Sequence, residues 1–146
     1  MNPKLYLAEI CRPNVTEFTL DPTSVRRAWI AAASLHHFAD CVAVHRGGDL
    51  AVVRAEIAQR FPQFPALSDV ANVTKHFELT RGSRPGLRAT DFEVGRGAAF
   101  SDGSYYSDGS SHSDARKVVR LQFEGRIIDV HHLCEEALKA FEMIPV

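Results

Sequence analysis

With 146 residues, 45% of them hydrophobic and 24% charged, the chain has the length and residue usage of a single globular domain, residues 1–146. A formal net charge of −1 excludes a molecule-wide attraction for a nucleic-acid backbone, so any such contact has to come from a local cluster of cations. The three cysteines, Cys11, Cys41 and Cys134, are widely spaced and form no Cys-x-x-Cys pair, which argues against a disulfide framework or a zinc knuckle and for reduced thiols in a cytoplasmic protein.

Met1 to Glu9 carries no signal-peptide apolar region, and no apolar run approaches the length of a membrane span, so no membrane role is expected. Residues 3–12 read as a short helix or an extended lead-in. Asn14 to Leu20, with Val15, Thr16, Phe18 and Thr19, reads as coil or a short strand. Asp21-Pro22-Thr23-Ser24 is a helix start, with Asp21 or Thr23 as the cap. One long helix is expected from about Thr23 to Arg46, apolar on nearly all sides, ended by Gly47-Gly48. Asp49 caps the next helix, Leu50 to Phe61, whose buried stripe is Leu50, Val53, Ile57 and Phe61. Pro62 and Pro65 bracket a turn.

The stretch Pro65 to Arg81 reads as a further helix. Ala66, Val70, Val73 and Phe77 recur at helical spacing as an apolar stripe, and Asp69, Asn72 and His76 form a polar stripe beside it. After Arg81, the glycines and Pro85 break the helix. Thr90 to Phe100 reads as a strand with a glycine irregularity at Gly95 or Gly97. Ser101 to Asp114 is a Ser/Asp/Gly-rich loop with an imperfect six-residue repeat. Val118 to Phe123 and Arg126 to Val130 form a hairpin about Glu124-Gly125. A last amphipathic helix covers about Val130 to Met143. The fold class expected is mainly α (α+β): a four-helix-type bundle with a small antiparallel sheet, in an insertion at about residues 90–130, before the C-terminal helix. Trp29, Leu35, Phe38, Val42, Val70, Val73, Leu133 and Phe141 are the expected core.

Candidate chemistry gathers on the helices. Asp69, Asn72 and His76 put a carboxylate, an amide and an imidazole in line, and are the catalytic candidates. Lys75, Arg81, Arg84 and Arg88 follow directly as nucleic-acid contacts, with Arg96, Arg116, Lys117 and Arg120 on the sheet and Tyr105 and Tyr106 in the loop as stacking candidates. His36 and His37 lie four and three residues before Asp40, and His131 and His132 precede Glu135 and Glu136 by four. These pairs allow a metal-site alternative built on His36, His37, Asp40 and His132, with His76 as a further imidazole. Helix-surface pairing explains the same spacing, and no metal is favoured.

The run Asp69-Val-Ala-Asn72-Val-Thr-Lys75-His76-Phe, followed by a small sheet and a final amphipathic helix, resembles small uncharacterised bacterial and phage-type helical proteins. It is distantly similar to HEPN-type domains, helical bundles that include ribonucleases with an Arg, a polar residue and a His on one late helix. The resemblance matches Asn72 to the polar residue and His76 to the histidine; the arginine has no counterpart, since Asp69, Val70 and Ala71 precede Asn72. It implies an RNA-binding or RNA-cleaving module that needs no cofactor, with His76 as general acid or base and Asn72 orienting it or the phosphate. A metal-dependent bundle enzyme and a non-enzymatic interaction module stand as alternatives, with homo-oligomerisation and small-molecule binding left open.

Overall fold

The computed structural model describes residues 2–96 and 117–145; the repeat-bearing loop 101–114, with Tyr105, Tyr106 and Arg116, lies outside them. The architecture is mainly helical, with one three-stranded antiparallel sheet before the last helix.

Residues 3–12 take the helical alternative, whereas Asn14 to Leu20 differs from the expectation of coil or a short strand. The chain is helical throughout residues 3–20: α1 Pro3–Tyr6, a π-helical stretch Leu7–Cys11, and α2 Arg12–Leu20. Asn2 accepts the Leu5 N–H at 2.8 Å and starts the helix. Pro13 explains the widened turn. It has no N–H to donate, and its ring would meet the carbonyl of residue 9 in a regular helix; the chain instead bonds the Arg12 N–H to the Leu7 carbonyl, five residues back. The β-favouring residues are overridden by burial, because Leu7, Cys11, Val15 and Phe18 fall on one stripe that packs into the core.

Ser24, rather than Asp21 or Thr23, caps α3 (Val25–His36) by accepting the Arg27 N–H at 3.3 Å. The expected single long helix is two, α3 and α4 (Phe38–Arg46), broken at His37. One turn before the break, the Ser34 carbonyl accepts the Tyr6 hydroxyl at 3.1 Å and the Cys11 thiol at 3.4 Å. The α1–α2 segment thus takes up a carbonyl that a continuous helix would offer to its own backbone. Gly47 ends α4 and Asp49 caps α5 (Leu50–Arg60), accepting the Ala51 N–H at 2.6 Å.

The helix α6 spans Phe64–His76, with Pro65 in its first turn. It stops five residues short of Arg81. Phe77 takes a φ of 57°, and residues 77–89 fold back on themselves: Leu79 N–H bonds the Leu87 carbonyl and Ala89 N–H the Phe77 carbonyl, both at 2.8 Å. Burial of Leu79 and Leu87 makes that return more favourable than another helical turn.

In the sheet, β1 (Phe92–Arg96) pairs with β2 (Lys117–Phe123), and β2 with β3 (Arg126–Asp129) about Glu124-Gly125. The β1–β2 register is unbroken from Phe92↔Leu121 to Arg96↔Lys117, so Gly95 does not mark a bulge. Its missing side chain has another use: a Cβ there would meet the Arg120 guanidinium, which crosses the strand to pair with Glu93 at 2.8 Å. The sheet docks on the start of α3 through the Val119 N–H and the Pro22 carbonyl, 2.7 Å apart. Asp129 then caps α7 (Val130–Glu142).

α3 is the central helix, packed by α2, α6 and α7. The core is one cluster, with Phe38 stacked on Phe141 at 5.1 Å and the Phe61 and Phe64 rings set at angles around Phe141. Seven of the eight expected core residues are buried. Trp29 is only half-buried: its ring packs edge-on against Phe92 of β1, joining helices to sheet. Among the described residues, no helix is long and apolar enough to cross a membrane.

Candidate functional site

The break at His37 sends two adjacent histidines in different directions. His36, 5% exposed, points inward. Its Nδ1 lies 3.1 Å from the Ser68 hydroxyl and its ring stacks on Phe64 at 6.2 Å. Burial, followed by the nearby positive charge of Arg54, lowers its pKa to about 4, so it is a neutral, packed imidazole. His37 opens α4 and is half-exposed. Its Nδ1 is 2.7 Å from Asp40 Oδ2, and its Nε2 is 3.3 Å from Lys75 Nζ.

The tautomer follows from these partners. An ammonium only donates, so Nε2 accepts from Lys75; the imidazole proton is then on Nδ1 and is donated to Asp40. The other oxygen of Asp40 accepts from Arg54 at 3.3 Å. This gives a carboxylate fixed by Arg54, an imidazole oriented by the carboxylate, and an ammonium over the imidazole's free lone pair. Lys75 and His37 came from separate readings of the sequence, nucleic-acid contact and metal ligation; the fold puts them together.

The stripe of α6 that faces this junction is Phe64, Ser68 and Lys75, the residues that touch His36 and His37. Asn72, four residues after Ser68 and three before Lys75, falls on the same stripe by helical spacing. It is half-buried and makes no hydrogen bond among the described residues. His76 follows at the edge of the stripe, exposed.

Asp69 lies apart from this group. It is 3% exposed and holds the 82–84 turn: the Ser83 hydroxyl and Arg84 Nη1, the latter at 3.2 Å, both donate to Oδ2. Gly82, at φ 107°, passes so close that a Cβ would meet Asp69 Oδ1. Arg88 pairs with Glu78 at 3.1 Å. Of the four cations proposed as nucleic-acid contacts, Arg84 and Arg88 are therefore taken by carboxylates, Lys75 sits on His37, and Arg81 is exposed without a partner among the described residues.

The metal-site alternative loses its convergence. His132 lies on α7 and lines a cleft of about 490 Å³ with Arg60, Gln63, Glu136 and Lys139, while His36 is turned to Ser68. Among the described residues, no three His, Cys, Asp or Glu side chains gather around a point that would hold a metal ion. Cys11 and Cys134 are buried, and burial pushes the Cys11 thiol up to about 12 and the Cys134 thiol higher still, so neither is a nucleophile.

No protein family, curated protein or solved structure matches this chain.

Sequence reasoning missed Arg54 and Ser68, and it set Phe77 on the apolar stripe with Ala66, Val70 and Val73, whereas α6 ends at His76 and leaves Phe77 exposed. Ser68 had a visible signal, its spacing to Asn72 and Lys75. Arg54 had none, because it reaches Asp40 from another helix.

Proposed function

We propose that the chain is an RNA-binding module that cleaves RNA without a metal, at the surface where α4 and α6 meet. The observation that supports this most is the chain Asp40–His37–Lys75, in which the unprotonated imidazole nitrogen accepts from an exposed ammonium. A substrate phosphate draws Lys75 away from His37, because a phosphate oxygen is a stronger partner than a neutral imidazole. That movement uncovers Nε2. His37 then takes the proton of a ribose 2′-hydroxyl as its oxygen attacks the adjacent phosphorus. The O2′–P bond forms and the P–O5′ bond breaks; Lys75 and Asn72 hold the non-bridging oxygens, and His76 gives its proton to the leaving O5′. The products are a 2′,3′-cyclic phosphate and a 5′-hydroxyl.

The resemblance of Asn72 and His76 to the polar and histidine positions of HEPN-type domains supports the same reading, with His37 and Lys75 added from a second helix. The activity fits a cytoplasmic protein with reduced thiols. The test is cleavage of a fluorescent single-stranded RNA in EDTA. His37→Ala and Lys75→Met are expected to lower the rate by about 10²-fold or more at unchanged stability. Loss of cleavage in EDTA, or full activity in His37→Ala, overturns the proposal.

A further inference from the structure

Among the described residues, Phe77 combines a positive φ with an exposed aromatic ring. It directly follows Lys75 and His76 and closes α6 in the left-handed region, at φ 57°. Such a helix end ordinarily uses glycine, since a side chain there is strained. The conformation is held firmly on both sides: the Phe77 N–H bonds the Val73 carbonyl at 3.0 Å and its carbonyl accepts from Ala89 at 2.8 Å. Nothing in the packing repays the strain, because the ring is 71% exposed. The fold therefore carries two costs at one residue, a bulky side chain in a glycine conformation and an apolar ring in water. Strain of this kind is retained where a side chain is needed for contact.

The neighbours identify the contact. Lys75 and His76 precede the ring, and Arg81, exposed and without a partner among the described residues, lies on the return that follows. An exposed aromatic ring flanked by cations is complementary to a polyanion that also presents flat rings. We infer that Phe77 is a stacking platform for one nucleobase, and that the substrate is single-stranded RNA with an unstacked base beside the scissile phosphate. In a duplex both faces of each base are already covered, so the ring has nothing to accept. The inference rests on the proposed RNA-binding reading and names its substrate.

The test measures binding apart from cleavage, with 2′-O-methyl RNA, which lacks the attacking hydroxyl. The parent is expected to bind a single-stranded 2′-O-methyl oligonucleotide and to bind the duplex of the same sequence more weakly. Phe77→Ala is expected to weaken single-strand binding by about tenfold or more, with little change for duplex. Phe77→Trp retains binding. Phe77→Gly, which relieves the backbone, melts no lower than the parent and binds as poorly as Phe77→Ala. Single-strand binding by Phe77→Ala within twofold of the parent overturns the stacking role and leaves the RNA reading standing. Equal loss on single strand and duplex also overturns it. A parent that binds but does not cleave ordinary RNA removes the catalytic proposal and leaves the platform. A parent that binds no RNA of either kind overturns both.

Discussion

Replacing Asp69 separates a structural carboxylate from a catalytic one. Asp69 is 3% exposed and accepts from both Ser83 and Arg84. A hydrogen bond to a charged group contributes about 1.5–3 kcal/mol. The Arg84 side chain, a quarter exposed, can turn to water when its partner goes and recover part of that, and it also donates to the Ser83 hydroxyl at 2.9 Å. Asp69→Ala is therefore expected to cost about 2–3 kcal/mol, and Asp69→Asn, which still accepts from Ser83, about 1–1.5 kcal/mol. For a chain of this size the alanine variant should melt about 5–10 °C lower. Thermal and urea unfolding followed by far-UV circular dichroism measure the loss, and RNA cleavage measured well below the melting temperature gives the second readout. Both variants should keep cleavage. A loss below about 0.5 kcal/mol in Asp69→Ala, or a stable Asp69→Asn that no longer cleaves, would refute the structural assignment and return Asp69 to the catalytic group.

Phe141→Ala removes the ring that Phe38, Phe61 and Phe64 pack around, and should cost about 3–5 kcal/mol in urea unfolding. His36 makes stability fall with acid: its folded pKa of about 4 lies below its ordinary value of 6.5, so the unfolded chain binds the proton first. That contribution is complete above about pH 6.5, is lost as pH drops toward about 4, and amounts to about 3 kcal/mol; a pH series of unfolding midpoints on the parent and His36→Phe measures it, and equal slopes contradict it. Gly82→Ala meets Asp69 and forces alanine to φ 107°, so it should destabilise by more than about 2 kcal/mol in the same unfolding assay. Replacing residues 97–116 by a short Gly/Ser turn should shift the melting temperature by no more than a few degrees, because Arg96 and Lys117 are paired neighbours and closure entropy varies slowly with length; a collapse of the melting transition would show that the segment contributes packing.

Local signals in the sequence carried the element types where burial and capping agreed. Asp49 before α5, Gly47 after α4, the Glu124-Gly125 turn and the periodicity of α7 all gave the element that the fold contains. The misses came from long-range partners. Val15, Thr16 and Thr19 have strand propensity, but a buried stripe set by α3 and α7 made them helical. The break at His37 was invisible because its cause, Tyr6 and Cys11 on the Ser34 carbonyl, lies more than twenty residues away. Helical phase put Asp69, Asn72 and His76 on one stripe, but phase says nothing of what stands opposite: the 82–84 turn covers Asp69, Asn72 falls on the Ser68–Lys75 stripe that faces His36 and His37, and His76 is exposed.

The break at His37 also fixes the rotational phase between two helices. His37, Asp40 and Lys75 meet only because α4 leaves the junction at one azimuth relative to α3 and α6. Each residue of a helix advances about 100° around the axis. Deleting a single residue between Ser34 and His37 would keep the composition of both helices nearly intact and still swing His37 and Asp40 about a quarter-turn away from Lys75. Substitutions on α4 are graded in their effect, whereas a change in length at this junction is all-or-none. The few positions around His37 are thus intolerant of insertions and deletions, although His37 itself is half-exposed.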